Sequence, residues 1–366
     1  MKKTILLTFL VLTQTIVGQI LKPGFDKEEY IETLKINHRT HFDLEKWDSI
    51  AIITEPEKYS FEYRSPRVAF DNLWDLWINK EKPVALISIR GSILTEASFL
   101  ANLYAAMVPA QGEIQLDTNF LFRYKLADNP KAAVQVGWFI AMAYLSRTIE
   151  PKIDSLYQAG YKDFIITGHS QGGGIGFMLT AYLQHLKKDH KLPQDIWFKT
   201  YCSAGPKPGN LFFAYDYENI TRGGWAFNVV NAADWVPDVP FSVQTVNDFT
   251  NVNPFSHARK MIKKQKFPNN LVLKHVYNQL SKPGIRAQKN YQKYLGKMVS
   301  RAVEKQMSNY KAPEYYKSNY FVRTGNTIVL YPDEEYYRQF DNSPDNTNIW
   351  MHHFTDAYMF LIERYK

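Results

Sequence analysis

One short stretch constrains this chain more than any other. Phe164-Ile165-Ile166-Thr167 is apolar, and Gly168-His169-Ser170-Gln171-Gly172-Gly173-Gly174 follows it at once. An apolar run of that length reads as a buried strand, and Ile175 to Leu186 beyond the glycines reads as a helix. A chain that passes from strand to helix so abruptly needs small residues at the bend. Glycines two before and two after Ser170 permit a strained turn that pushes its hydroxyl outward. A serine hydroxyl is a poor nucleophile until a neighbouring base takes its proton. The bend also places Ser170 at a helix N-terminus, where backbone N–H groups, that of Gln171 among them, stabilise developing negative charge. The plainer reading of the same residues is a glycine-rich loop that only packs a helix.

The flanking segments predict the fold. Residues 25–80 read as helices, with Trp74 and Trp77 on a helical face. Val84 to Ile89 is a continuous apolar run closed by Arg90-Gly91, a buried strand. Thr95 can cap a helix that shows Phe99, Leu100, Leu103, Tyr104 and Met107 at helical spacings. Residues 111–130 look irregular, and Trp138 to Tyr157 is helical with a break or kink at Pro151. Trp197 to Cys202 and Phe227 to Asn231 read as further strands, Tyr320 to Tyr331 as two short strands around Gly325-Asn326, and His352 to Tyr365 as a closing helix. Strands alternating with helices predict an α/β protein with a largely parallel sheet, reactive residues at the strands' carboxyl ends.

Five segments, in order, carry a resemblance. Gly168-His169-Ser170-Gln171-Gly172-Gly173 resembles the nucleophile elbow of the class 3 (fungal-type) lipase family. Ile89-Arg90-Gly91-Ser92 resembles its oxyanion-hole strand end. Val134-Gln135-Val136-Gly137-Trp138 resembles its Val-His-x-Gly-Phe segment, with Gln135 in place of the usual His. Gly205-Pro206-Lys207-Pro208-Gly209-Asn210 resembles its Gly-x-Pro-Arg-x-Gly-Asn turn, with Lys207 for Arg. Asn231 to Pro240 resembles its Asp-x-Val-Pro-x-Leu-Pro segment. The matches span about residues 60–245, plus the C-terminal helix.

The resemblance implies an α/β-hydrolase fold and a serine ester hydrolase acting on acylglycerols or phospholipids. It implies Ser170 as nucleophile, Asp234 as triad acid, and Ser92 with Gln171 as oxyanion-hole donors. Composition alone leaves Asp238 an equal candidate for the acid, as a turn-forming residue. His352 and His353 both follow in the order Ser, Asp, His. The family's spacing of His and a Tyr five residues on fits His353 and Tyr358, so His353 is the expected base and His352 the alternative. The remaining histidines read as structural, His169 packing within the elbow. No cofactor is implied, and no His/Cys/Asp spacing suggests a metal. The competing readings are a non-lipid carboxylesterase such as a feruloyl esterase, an acyltransferase, and a non-catalytic lipid- or glycan-binding protein on the same scaffold.

Charge is unevenly placed. The whole chain carries +8, yet residues 251–311 hold fourteen Lys and Arg against one acid, Glu304. That stretch is therefore +13, and the remainder about −5. It falls within the 118 residues separating Asp234 from His353, so a helical basic insertion is expected at about 250–318. Tyr291, Tyr294, Leu295, Met298 and Ala302 share one helical face, and Lys293, Lys297 and Arg301 the opposite one. Such a helix could lie on an anionic lipid surface through residues 255–311, or serve as a solvated cap. Nucleic acid is the other anionic partner to consider, but a secreted esterase offers no reason for it. The resemblance also implies a mobile lid at Ile93 to Val108, whose apolar stripe would either pack on the core or cover the acyl pocket.

The N-terminus has the three-part layout of a secretory signal peptide: Lys2-Lys3, the apolar run Ile5 to Leu12, then a polar stretch ending near Gly18. Residues 1–18 are expected to be removed on export, leaving 19–366 as one hydrolase domain outside the cell or in the periplasm. With Cys202 as its sole cysteine, the chain can form no intrachain disulfide, and its stability must come from packing.

Overall fold

The computed structural model describes residues 19–49, 53–307, 309–343 and 345–365; the expected signal peptide lies outside them. A seven-stranded sheet organises the chain. We number its strands β1 (Tyr59–Arg64), β2 (Trp74–Asn79), β3 (Val84–Ile89), β4 (Asp163–His169), β5 (Trp197–Ser203), β6 (Ala226–Asn231) and β7 (Asn326–Leu330). They lie side by side in that order. The first three pair antiparallel; β3 through β7 pair parallel. This is the α/β-hydrolase-type, largely parallel sheet flanked by helices that the sequence led us to expect.

Both faces of the sheet are buried, which explains the unbroken apolar runs. Along β3, Ala85, Ile87 and Ile89 enter one core while Val84 and Leu86 enter the other; along β4, Phe164 and Ile166 oppose Ile165 in the same way. Helices Val136–Gln158 and Gln171–Lys188 cover the first face, and helices Lys27–His41 and Thr355–Arg364 the second.

Three local expectations give way to the structure. Trp74 and Trp77 lie on a strand, not a helix. Three residues apart on a strand means opposite faces: Trp74 belongs to one core, and Trp77 to the other, stacked on Trp47 with ring centroids 5.4 Å apart. Residues 111–130 are not irregular. Gln111–Asp117 and Phe120–Lys125 form an antiparallel hairpin whose inward side chains, Ile114, Leu116 and Phe122, alternate with outward-facing ones. Pro151 does not break its helix, which runs unbroken from Val136 to Gln158. Pro151 and Arg147 both lie on the exposed side, where a carbonyl without its helical donor can meet water.

The basic insertion is helical, as expected, but its packed face differs. Helices Asn269–Tyr291 and Val299–Gln306 are joined by a π-helical stretch, Gln292–Met298. Wider turns there rotate the following residues away from the 3.6-residue phase. Gly296, Val299, Ser300 and Val303 therefore face the protein, while Tyr294, Met298 and Ala302 are exposed. The stretch is fastened where the Ala106 N–H donates to the Leu295 carbonyl at 3.2 Å.

One of the tightest approaches among the described residues lies at the elbow. A Cβ on Gly172 would sit 2.2 Å from the Ile89 carbonyl oxygen, and one on Gly168 would sit 2.3 Å from the Gly172 carbonyl carbon. Neither neighbour is a side chain that can swing aside. We expect Gly172→Ala to destabilise the protein by about 1–3 kcal/mol, the range for overpacking a core. Gly176→Ala, whose Cβ meets only Cys202 Sγ at 3.2 Å, should cost less. Denaturant melts of the two variants check the ordering.

Candidate active site

Ser170 stands at the carboxyl end of β4 with φ 61° and ψ −130°, a conformation that a side chain adopts only under constraint. The constraint is visible on both sides. Its N–H donates to the Ser203 carbonyl at the end of β5 (2.9 Å), and its carbonyl accepts from the N–H groups of Gly173 and Gly174 at 2.9 and 3.1 Å. The N–H groups of Gln171 and Gly172, in the first turn of the helix, have no intrahelical acceptor and remain to receive negative charge.

Asp234 lies just past the end of β6, in the turn that leads into the 3₁₀ turn Val236–Asp238. Three donors converge on its carboxylate. His353 Nδ1 and the Tyr358 hydroxyl each reach Oδ2 at 2.8 Å, and the Val236 N–H reaches Oδ1 at 3.0 Å. A carboxylate only accepts, so the proton of the neutral His353 ring sits on Nδ1 and the Nε2 lone pair is left for another group. Asp234 and His353 are each 5% exposed, so water competes little for their bond. Tyr358 follows His353 by five residues because His353 precedes the helix Thr355–Arg364 and Tyr358 lies in its first turns.

His352 faces elsewhere. Its Nδ1 lies 2.8 Å from the Tyr336 hydroxyl and its Nε2 3.2 Å from Asn342 Oδ1, while its carbonyl accepts from Asn231 Nδ2 at 2.9 Å. Asp238 is likewise apart, exposed and 3.5 Å from Arg323. Of the alternatives open in the sequence, the structure brings together Asp234 and His353.

His169 does more than pack. Burial pushes its pKa well below the usual value, so the ring is neutral with one donor and one acceptor nitrogen. Nε2 donates to the His353 carbonyl at 2.7 Å, and Nδ1 then accepts from Ser203 Oγ at 3.2 Å. Ser203 in turn lies 2.7 Å from the buried Tyr30 hydroxyl. The residue before Ser170 thus fastens the backbone of His353, a link with no signal in the sequence beyond adjacency.

A second network joins Ser92 and Gln171. The Asn102 side chain donates to Ser92 Oγ at 3.0 Å, while its Oδ1 accepts from Trp138 Nε1 at 2.9 Å and from Gln171 Nε2 at 2.8 Å. An indole N–H only donates, so the Asn102 amide has one possible orientation. Ser92 therefore accepts from Asn102 and keeps its own O–H free. Gln135, in place of the family's histidine, caps helix Val136–Gln158 by accepting from the Trp138 N–H at 2.6 Å, and donates to the Ala101 carbonyl at 2.8 Å. The helix Glu96–Leu103 is capped by Thr95, as expected. It buries Ser98 and Ala101 and turns Phe99 and Leu103 to solvent.

Among the described residues, one set of side chains has ligand atoms close enough for a metal: Asp128, His185 and Asp216, within 4.8 Å. Lys125 and Lys188 already hold Asp128, pulling its carboxyl down to about 2. Asp216 accepts from the Asp128 and Asn129 N–H groups at 2.8 and 3.2 Å. Two ammonium groups on one of the three members oppose a cation there.

Residues 86–244 match the family described as Lipase (class 3). This part of the chain, under half of its length, is similar to that family. Over 172 residues the chain is 28% identical to the secreted mono- and diacylglycerol lipase 1 of Fusarium solani, a match covering 44% of this chain and 48% of that protein. The chain thus spans about half the length of that curated relative. Similar solved structures include the Lip2 lipase of Yarrowia lipolytica, at 17% identity and TM-score 0.45 over 60% of this chain and 76% of that one. Lipase II of Rhizopus niveus matches at 18% identity and TM-score 0.42, covering 58% and 74%.

Several histidines around this site are held neutral. Burial lowers the His38 pKa to about 4, helped by His41 and Arg39; burial also lowers those of His41, His169 and His352. Unfolded, such groups titrate near 6.5. Above that pH neither state is protonated. Below it the unfolded chain binds protons that the folded histidines refuse, so their contribution to stability is lost as pH falls toward 4. His38→Gln should lose less stability than the native chain between pH 7 and 5, read as the difference in melting midpoint between the two.

Proposed function

We propose that the chain is an exported serine hydrolase of lipid esters, with Ser170 as nucleophile, His353 as base and Asp234 as the acid that orients it. The observation that carries this reading is the 2.8 Å bond from His353 Nδ1 to a buried Asp234, with His353 also packed on His169, the residue before the serine at the strained strand-to-helix turn. His353 Nε2 takes the Ser170 proton as Oγ attacks the ester carbonyl carbon. The carbonyl oxygen becomes an oxyanion, which the Gln171 N–H and Ser92, through its N–H and its free O–H, stabilise. The intermediate collapses, His353 gives its proton to the departing alcohol, and an acyl group remains on Ser170. Water then attacks that acyl carbon, losing a proton to His353, and the carboxylic acid leaves as Ser170 regains its proton.

A lipid ester fits the surroundings better than a polar one. Phe99 and Leu103 are exposed on the helix whose Asn102 reaches Ser92 and Gln171. On the other side, Trp235, Ile349 and Phe354 are exposed next to Asp234 and His353. Acylglycerols or phospholipids present acyl chains to such a border. Export through residues 1–18 accords with the Fusarium solani relative, which its name describes as secreted.

Ser170→Ala should abolish hydrolysis of a chromogenic acyl ester while circular dichroism stays native; full activity in that variant would sink the assignment. His353→Ala should fall with it, whereas His352→Ala should retain most of its turnover. Asn102→Ala removes the partner that turns the Ser92 hydroxyl toward the oxyanion. It should lower kcat by about 10- to 100-fold, somewhat less than loss of an oxyanion donor itself, and leave KM nearly unchanged.

A further inference from the structure

The helix Asn269–Tyr291 is inverted relative to an ordinary surface helix. The residues it buries are polar, Ser281 and Gln288. Most of its aliphatic side chains point outward: Val272 is 58% exposed, Val276 46% and Leu280 80%. Those three recur every four residues, and with Leu273 they fill an arc of about 100° on one side of the helix. Met261 and Phe267, in the preceding short helix and turn, are 60% and 77% exposed. A soluble helix normally places such residues against the core, and exposed apolar area on this scale marks a binding surface.

The charge around the stripe states what it meets. Lys282, Arg286 and Lys289 line the same helix at spacings of four and three, beside the apolar arc. Arg259, Lys260, Lys263, Lys264 and Lys266 crowd its N-terminal end, and no acid occurs from residue 251 until Glu304. None of the salt bridges among the described residues engages a basic side chain of this insertion. The helix therefore offers unneutralised cations and aliphatic side chains on adjacent faces. A nucleic acid would use the cations and leave the aliphatics in water. An anionic lipid surface uses both, the cations at head-group level and the aliphatics among the first acyl carbons.

We propose that residues 258–291 dock the protein onto anionic lipid surfaces, with Val272, Val276 and Leu280 inserted and Lys282, Arg286 and Lys289 at the head groups. The dock is tied to the catalytic half of the protein. The insertion meets the segment after helix Glu96–Leu103 through the Leu295–Ala106 hydrogen bond, and the Tyr104 hydroxyl lies 2.9 Å from those of Tyr310 and Tyr315. The surface itself stands on charge and exposure; only its use in presenting substrate rests on the ester-hydrolase reading.

Co-sedimentation with vesicles tests it, using Ser170→Ala as the parent so that the lipid stays intact and failure of the catalytic assignment leaves the result readable. Binding should be strong to phosphatidylcholine mixed with phosphatidylglycerol, weak to phosphatidylcholine alone, and suppressed by salt. Leu280→Asp should weaken the partition coefficient on the order of tenfold, and Lys282→Glu with Arg286→Glu by about tenfold or more. Circular dichroism confirms folding, since all three side chains are exposed. Equal binding to both vesicle types, binding unaffected by these changes, or self-association in sedimentation with no vesicle binding would each overturn the proposal.

Discussion

The molecule depends on how closely one helix lies on its sheet. Where Gln171–Lys188 leaves the end of β4, no side chain fits between Gly172 and the Ile89 carbonyl, or between Gly168 and the turn that follows. Because the backbones touch, the strand must reverse into the helix within a single residue, and Ser170 is that residue. Its positive φ is a consequence of the approach and is sustained by bonds to Ser203, Gly173 and Gly174. The same approach sets the end of β3 beside the elbow, since a Cβ on Gly91 would lie 2.9 Å from the His169 carbonyl oxygen. Ser92 is thereby carried into reach of a group at the helix N-terminus.

Around that contact, polar side chains join segments distant in sequence. Asp234 gathers His353 and Tyr358 from the C-terminal part of the chain, and His169 fastens the His353 backbone. Asn102 links Ser92, Trp138 and Gln171. Each hub has its orientation dictated by a partner with only one possible role: a carboxylate that accepts or an indole that donates. Buried networks of this kind hold side chains in single rotamers, which a reacting site requires and which loosely packed loops do not provide.

The basic insertion follows a different logic. Its C-terminal part, from Leu295 to Val303, packs against the body of the protein, while its N-terminal part projects aliphatic residues and lysines together. Lysines spaced along an exposed helix repel one another. Such a surface persists because the cost is small in water, and under the proposed docking it is offset when an anionic phase is met.

Much of this was legible in the residues. Strands β3 through β6 announce themselves as apolar runs because both their faces are buried. The elbow is readable because glycine is the residue that tolerates backbone contact, and the order of the five segments is readable because it is linear. The antiparallel hairpin and the two strands β1 and β2 escaped, since their apolar residues alternate or split between two cores and so imitate irregular chain or a helix.

What the sequence by itself determined is local: a strained serine at a strand-to-helix bend, a short list of acids and histidines beyond it, and a concentration of positive charge in one stretch. The tertiary structure decided among neighbours that the sequence could rank only by a family's spacing. His352 and His353 differ by one position, yet consecutive residues of a turn point apart, and only the second reaches Asp234. Likewise, one π-helical stretch shifts the phase of the insertion, so the face that meets the protein is not the one its spacing suggests. Both outcomes depend on where side chains point in space, which one-dimensional spacing records only while the backbone keeps a regular period.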